Sequence, residues 1–430
     1  MPELGARSRY CRRLSARVRK PQAEVGKFLT QPRSLYVHAP FCARRCSYCD
    51  FAVEVMREPP LEEWLAVVAR ELALTATRQD WILPLRLDTL YVGGGTPSLL
   101  GPSAMARLTD AIAPWAVLEP GAEWTAEVNP ESFDEVLGTR WRAAGVNRLS
   151  MGVQSFDPDV LRWMGRLHGP EGPALAVQAA RAAGFENLSV DLIFGLPERL
   201  NRDWEADIDR ALTIEPQHVS LYGLTAEPGA PLGRWVGEGR EQLADEDAYA
   251  DEYLVANRVL TSAGFDHYEV SNFGRPGLRS RHNAVYWSGQ PYAALGPGAH
   301  AFYPPFRRWN LKSWSAYRDA LRAGVLPLSD QEEVTAEERE LERIWLGLRT
   351  GAGLVIARGD RLGRQVVDNW EERGLAEAAG DLVRLTPSGW LLLDSLALEL
   401  YEAGCQIPRA RPFDGRATLV QIANQKAIGK

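Results

Sequence analysis

Six short runs of β-branched and apolar residues recur through the first half of the chain, separated by stretches of helix-like periodicity. The runs are SLYVHA (34–39), LDTLYVG (87–93), EWTAEV (123–128), VNRLSMGV (146–153), NLSVDLIFG (187–195) and HVSLYGL (218–224). Residues 61–76, 102–113, 133–144 and 171–183 read as helices, the first with Leu and Val on one face and Glu and Arg opposite. Strands alternating with helices run parallel, since each crossover returns the chain to the same end of the sheet, and the crossovers are right-handed. Such an α/β pattern fits a doubly wound sheet or a barrel, complete or partial. Either one collects its ligand-binding residues at the carboxyl ends of the strands, where this chain's Gly and polar residues cluster.

After about residue 230 the rhythm changes. Residues 241–263 read as one helix and 335–349 as another, while 270–310 is rich in Gly, Pro, Asn and aromatics with little periodicity. The division expected is a basic arm (1–33), a barrel core (34–235), a segment joining core to cap (236–330) and a helical or mixed C-terminal domain (331–430). LTPSG followed by an apolar helix suggests a winged-helix-like end to this smaller α/β cap. The arm carries nine Arg or Lys against two acidic residues and has no apolar core, so it is no secretory signal. It reads as a dispensable disordered tail or misplaced start, with an organellar presequence or a membrane-gripping arm as the other readings. The net charge of -7 argues against nucleic acid as a partner. No run of eighteen apolar residues occurs, and five cysteines are too few for a stapled secreted scaffold, so a cytoplasmic location is expected.

Three of those five cysteines fall in FCARRCSYCDF (41–51), at Cys42, Cys46 and Cys49. A structural zinc site wants four ligands, commonly from two separated pairs, and no second pair follows. A redox CxxC leaves Cys42 unexplained, and three buried structural cysteines would have no reason for such tight spacing. Three thiolates suit three irons of a [4Fe–4S] cube, with the fourth iron open to a ligand that is not protein. Arg44 and Arg45 between the ligands favour thiolate, and Phe41, Tyr48 and Phe51 are placed to exclude water.

This spacing, directly after a first strand, resembles the signature of radical S-adenosylmethionine (radical SAM) enzymes. SLYVHAPFCARRCSYCDF is similar to the family that contains HemW-type heme chaperones and oxygen-independent coproporphyrinogen III oxidase. The resemblance implies a partial (β/α)6 TIM-like barrel, a cluster held by the three cysteines, and S-adenosylmethionine on the open iron. In YVGGGTPS it assigns Gly93, Gly94, Gly95 and Thr96 to the methionine ammonium, for which glycine's open backbone is suited. It places Glu127 on the ribose hydroxyls, Gln154 along the cofactor, Arg166 on its carboxylate and Asp191 near its ribose. Each carboxylate has a plain alternative as a salt-bridged or capping residue. Tyr36 and His38 share a strand face; Tyr36 is counted with the cofactor residues and His38 with the chamber lining.

Two departures separate the chain from the oxidase. The oxidase pattern continues as CxxCxC, whereas here Phe51 takes the last cysteine's place, and the oxidase carries a longer N-terminal region. HNxxYW, at His282, Asn283, Tyr286 and Trp287, resembles the chaperone group. Imidazole is a common axial ligand of heme iron, aromatics stack on a porphyrin, and Arg279 and Arg281 suit its propionates. Packing at a domain seam is the plain reading of the same residues, and His300 is a competing ligand. The expected function is heme delivery to acceptors, respiratory and membrane-bound ones among them, which would bring the chain to the inner membrane only peripherally. Radical decarboxylation of coproporphyrinogen, which would need an electron donor, and a zinc-stabilised binding module are the alternatives. Whether S-adenosylmethionine is cleaved and whether the chain forms a homodimer are not legible in the sequence.

Overall fold

A computed structural model describes residues 31–405. The basic arm up to residue 30 and the tail beyond 405 lie outside the described residues. The chain divides into a large unit (residues up to 286 and 290–336) and a small one (287–289 and 337 onward).

All six expected parallel strands form: β1 (Ser34–Ala39), β2 (Leu85–Gly94), β3 (Ala116–Val128), β4 (Arg148–Gln154), β5 (Asn187–Phe194) and β6 (His218–Gly223). They lie side by side in chain order, each parallel to the next. Between them run α1 (Leu61–Gln79), α2 (Ala104–Ile112), α3 (Glu135–Ala144), α4 (Gly172–Ala182) and α5 (Trp204–Thr213), as crossovers require. Asp134 and Asp203 cap α3 and α5, accepting from the Leu137 and Ala206 amides. The helix expected from residue 241 starts at 246, as α6 (Glu246–Ser262), because Asp245 caps it and Glu241 is taken by Arg199 and Trp163.

The stretch from 264 to 333, which includes the aperiodic 270–310, holds further strands of three to six residues. Strands β7 (Asp266–Glu269) and β8 (Asn272–Gly274) extend the sheet antiparallel beyond β6. Helix α7 (Arg281–Trp287) follows, and then β9 (Ala293–Leu295) joins the other edge, parallel to β1. Nine strands thus stand in the order β9-β1-β2-β3-β4-β5-β6-β8-β7. A separate antiparallel sheet contains β10 (His300–Tyr303), β11 (Phe306–Asn310) and β12 (Leu328–Glu333), and α8 (Trp314–Arg322) lies between its last two strands.

The strand alternation divides the main sheet into two chemically different faces. Leu35 and Val37, Leu90 and Val92, Trp124 and Ala126, Leu149 and Val153, Val190 and Leu192, and Val219 and Leu221 form an apolar, almost wholly buried side. The other side carries Tyr36 and His38, Tyr91, Glu123, Thr125 and Glu127, Arg148, Ser150 and Gln154, Asp191, and His218 and Ser220. The sheet curls around this polar side. Tyr91 on β2 lies within electrostatic reach of Tyr222 on β6, whereas a flat sheet would hold strands four places apart about 19 Å from each other. Open edges at β9 and β7 make it a partial barrel.

In the small unit α9 (Ala336–Leu348), α10 (Arg361–Glu372) and α11 (Leu393–Glu402) surround an antiparallel sheet of β13 (Leu354–Val355), β15 (Leu382–Leu385) and β14 (Ala376–Ala379). Thr386 of LTPSG caps the turn of helix that follows the hairpin, accepting from the Gly389 amide at 3.1 Å. The small unit is thus a mixed α/β unit with a hairpin followed by helix, the part of the chain from which a winged-helix-like end is expected.

Candidate functional site

The cysteine loop leaves β1 and returns beside itself. Phe41–Cys42 pairs in parallel with Glu54–Val55, and the Met56 amide donates to the Cys42 carbonyl at 2.8 Å. Its middle is anchored on the Met164 carbonyl by the Ser47 amide, 3.0 Å. Cys42, Cys46 and Cys49 are free, partly buried and within electrostatic reach of one another. Burial pushes the Cys42 thiol up to about 11 against a hydrogen bond from Thr96, and burial also raises Cys49. Iron supplies the positive charge that removes such protons. Among the described residues no three His, Cys, Asp or Glu side chains converge on one metal-sized point. A tetrahedral zinc needs sulfurs about 3.8 Å apart, whereas a cube presents each cysteine with a different iron. Phe41 is fully buried, but Phe51 is 62% exposed, so it does not shield the loop as expected.

The triple glycine owes its composition to close neighbours. A Cβ on Gly93 would stand 2.8 Å from the Glu127 carboxyl carbon, and one on Gly94 2.3 Å from the His38 ring. On Gly95 it would meet the Phe41 carbonyl at 2.6 Å. His38 is itself held on both sides, Nδ1 to the Tyr36 hydroxyl at 3.0 Å and Nε2 to the Ala52 carbonyl at 2.8 Å. Burial lowers its pKa to about 4, so it is neutral and fixes the exit of the cysteine loop. Thr96 donates to the Cys42 sulfur at 3.6 Å.

Glu127 accepts the Tyr91 hydroxyl and the Gly94 amide, both at 2.8 Å, one on each oxygen. Each oxygen keeps a second lone pair, which is what two vicinal hydroxyls would use. Burial lifts this carboxyl to about 7 and that of Asp191 to about 6. Ser150 donates to Asp191 at 3.2 Å. Arg148, 1% exposed between the two carboxyls, moderates both electrostatically.

Arg166 is half-buried and makes no ion pair among the described residues. Its guanidinium donates to the Asn129 amide oxygen (2.8 Å), the Gly152 carbonyl (2.5 Å), His168 (3.3 Å) and the Cys46 sulfur (3.8 Å). All four direct partners are neutral groups or a thiol, and the Glu131 and Asp191 carboxylates act on the cation only through space, so it has room for an anion in contact. Gln154, where β4 ends in a register shift, has a φ of 70°, which costs a non-glycine residue energy, and its buried Oε1 has no partner among the described residues. An orphaned acceptor and an anion-short guanidinium beside three thiols fit a zwitterionic sulfonium cofactor and its cluster. The sequence reading missed Asn129, which joins Arg166 to Thr96 through a 3.1 Å bond, and Tyr91. Alternation was the available signal: both stand two positions from named residues on the same face.

The HNxxYW residues occupy a different setting. Glu123 caps α7, accepting the Arg281 and His282 amides at 2.9 Å each. His282 is 1% exposed, with Nδ1 on the Thr89 hydroxyl at 2.7 Å and Nε2 on the Tyr286 hydroxyl at 2.9 Å. Burial lowers its pKa to about 3. The Asn283 amide donates to Ser280 at 3.2 Å. Trp287 belongs to the small unit, where the Arg349 guanidinium lies 4.1 Å from its ring centre. Arg279 pairs with Asp266, and Arg281 donates to the Gly121 carbonyl. His300 is exposed at the start of β10.

Known proteins resemble this chain. The model of the Radical SAM superfamily matches residues 36–211. The heme chaperone HemW of Mycobacterium tuberculosis is 38% identical over 373 residues, covering 86% of this chain and 95% of that one. The chain belongs to the HemW family of radical SAM proteins. The HemW heme chaperone of Bacillus subtilis is 34% identical over 371 residues, covering 84% of this chain and 97% of its own. Coproporphyrinogen III oxidase (HemN) of Escherichia coli superposes with a TM-score of 0.73 over 87% of this chain and 91% of that one, at 21% identity. That likeness carries the fold, while the HemW relatives account for the sequence. A [4Fe–4S] cluster and S-adenosylmethionine follow from the superfamily.

Proposed function

We propose that this chain is a heme chaperone: it holds a [4Fe–4S] cluster and S-adenosylmethionine at the barrel mouth, binds heme as cargo, and passes it to acceptor proteins. The observation that carries the reading is similarity to HemW chaperones along nearly their whole length, 95% and 97% of the two relatives described. Membrane-bound respiratory proteins are the acceptors we infer. No helix among the described residues is long and apolar enough to cross a membrane, so the encounter we infer is peripheral, from a cytoplasmic chain.

The residues divide the work as follows. Cys42, Cys46 and Cys49 hold the cluster, and Thr96 and Arg166 donate toward two of the sulfurs, which stabilises their negative charge. Gly93, Gly94 and Gly95 offer backbone to the ammonium, Arg166 meets the carboxylate, Gln154 finds a partner for its orphaned oxygen, and Glu127 and Asp191 take the ribose side. When bound, the cluster and the sulfonium would supply one-electron chemistry, and chaperoning asks only that these groups be held. Tyr36 and His38 brace the cluster loop from the first strand.

Anaerobically purified protein, with iron and sulfide quantified, should bind ferric heme in about equimolar amount and transfer it to an apo-acceptor. In the same preparation coproporphyrinogen III, given a reductant and S-adenosylmethionine, should yield no vinyl product. Vinyl product would establish the decarboxylase reading, and a colourless, iron-free zinc protein would remove both.

A further inference from the structure

The heme reading raises the question of which atom meets the iron, and the histidines answer it by elimination. The chain has six, all among the described residues. Five have both ring nitrogens hydrogen-bonded: His38, His168, His218, His267 and His282. A nitrogen in such a bond cannot coordinate iron without leaving another polar group unpaired, which is unfavourable where that group is buried. His300 differs on every count. It is the only exposed histidine, and no hydrogen bond to either ring nitrogen exists among the described residues.

Its surroundings suit a flat dianionic ligand. Across the hairpin His300 faces Trp309, with ring centres 5.7 Å apart and planes tilted by 20°. This leaves the imidazole edge, where the nitrogens lie, uncovered by the indole. Phe302 and Arg307 follow on the same sheet face, the guanidinium 5.7 Å from the phenyl centre. Lys312 is exposed and near enough to His300 to act on it electrostatically. The charges are mixed: Arg307 pairs with Glu332 at 2.7 Å, and Lys312 reaches Asp50 only at 3.5 Å, the looser of the two pairs. Although His300 is exposed, the part of the ring that is covered, then Lys312 and Arg307, lower its pKa, in the direction of the neutral form that metals bind.

The patch also adjoins the cluster loop. Asp50 follows Cys49 directly, and a Cβ placed on Gly298 would stand 2.8 Å from Ala52. Loop residues 50–52 therefore border the turn that leads into His300, and Phe51 contributes an exposed ring.

We propose that His300 is the axial ligand of the heme iron, with Trp309 beside the porphyrin and Lys312 on a propionate, at a surface site next to the cluster loop. This rests on the heme reading above and deepens it. An open site with one protein ligand suits a carrier, since an acceptor can replace that ligand without the barrel opening.

Ferric heme titrated into the full, cluster-loaded protein tests it, read by visible absorption and by electron paramagnetic resonance with the cluster in its diamagnetic oxidised state. His300→Ala should weaken binding at least tenfold and abolish the imidazole-ligated signal, with iron content and melting temperature unchanged. His300→Tyr should bind heme with a phenolate-ligated spectrum, which only a residue on the iron can confer. His282→Ala, compared at a temperature where it remains folded, should keep the wild-type heme spectrum. Wild-type spectra in both His300 variants would overturn the assignment while leaving heme binding intact. Failure of the wild type to bind heme would overturn the chaperone reading and the assignment with it.

Discussion

The cysteine–glycine mouth and the HNxxYW helix both stand out as motifs, yet they differ in how far their polar groups are satisfied. At the mouth, Gln154 keeps a buried oxygen without a partner among the described residues and a strained backbone, and Arg166 bonds directly only to neutral acceptors and a thiol. On α7 every ring nitrogen of His282 is bonded, and Glu123 occupies both of the amides it caps. Groups left short of partners mark places where something else binds, because folding alone would have paired them. A saturated network marks a place whose product is the fold. On this criterion we propose that His282, expected above as a heme ligand, acts instead as a strut within the polar interior of the sheet.

The largest effect expected from this contrast is at the cluster. Cys46→Ala removes one of three anchors, and iron per chain should fall from about four to near zero in anaerobic preparations, while circular dichroism keeps its α/β shape. Full iron with Cys46 absent would mean that another residue holds the metal.

The opposite pattern is expected on α7. His282→Ala leaves a cavity and the Thr89 and Tyr286 hydroxyls without their present partner, which should cost about 3 kcal/mol in urea unfolding. Iron content should stay at the wild-type level in the folded protein. A variant of unchanged stability would break the contrast, since a saturated network that contributes nothing is no strut.

The same contrast explains what could be read before any coordinates. The six strands were legible because each is a run of apolar residues at alternate positions, and β1 and β6 begin where their pattern begins. The cysteine spacing was legible because it is local. Strands of three or four residues, such as β8 and β9, carry no period to find. Bonds such as Glu123 to the start of α7 span over 150 positions, with nothing in the local pattern to announce them. That is why His282 could be singled out as important while its partners, and with them its role, stayed hidden. His300 was legible only as a competing ligand, and its exposure and the bonding of the other five histidines are what set it apart.

A smaller effect concerns the buried carboxyls of the mouth. Glu127 and Asp191 are pushed up by burial, from 4.5 to about 7 and from 3.8 to about 6. The folded chain therefore keeps these protons after the unfolded chain has lost them. Their contribution is fully present below the unfolded values and is lost as pH rises through about 6 to 7. In the cofactor-free chain, raising the pH from about 5 to about 8 should cost on the order of 2 kcal/mol more in wild type than in Glu127→Gln. Equal slopes would mean that water already reaches the carboxyl, so that no ligand is needed to complete it.

Gln154 supplies the finest separation, because fold and binding should move in opposite directions there. Its φ of 70° is a conformation that glycine adopts freely, and its side chain buries an acceptor without return among the described residues. Gln154→Gly relieves both penalties, at the expense of a more flexible unfolded chain. We expect a net gain of about 0.5–1 kcal/mol in the thermal unfolding of the cofactor-free protein. S-adenosylmethionine affinity of the cluster-loaded protein, followed by calorimetry, should drop several-fold. A strained residue kept for its ligand gives that combination, whereas a merely structural glutamine would lose stability and leave affinity alone. If the variant is less stable and binds as before, Gln154 belongs with His282 among the struts, and the line between the two regions has to be redrawn around Arg166 and the cysteines.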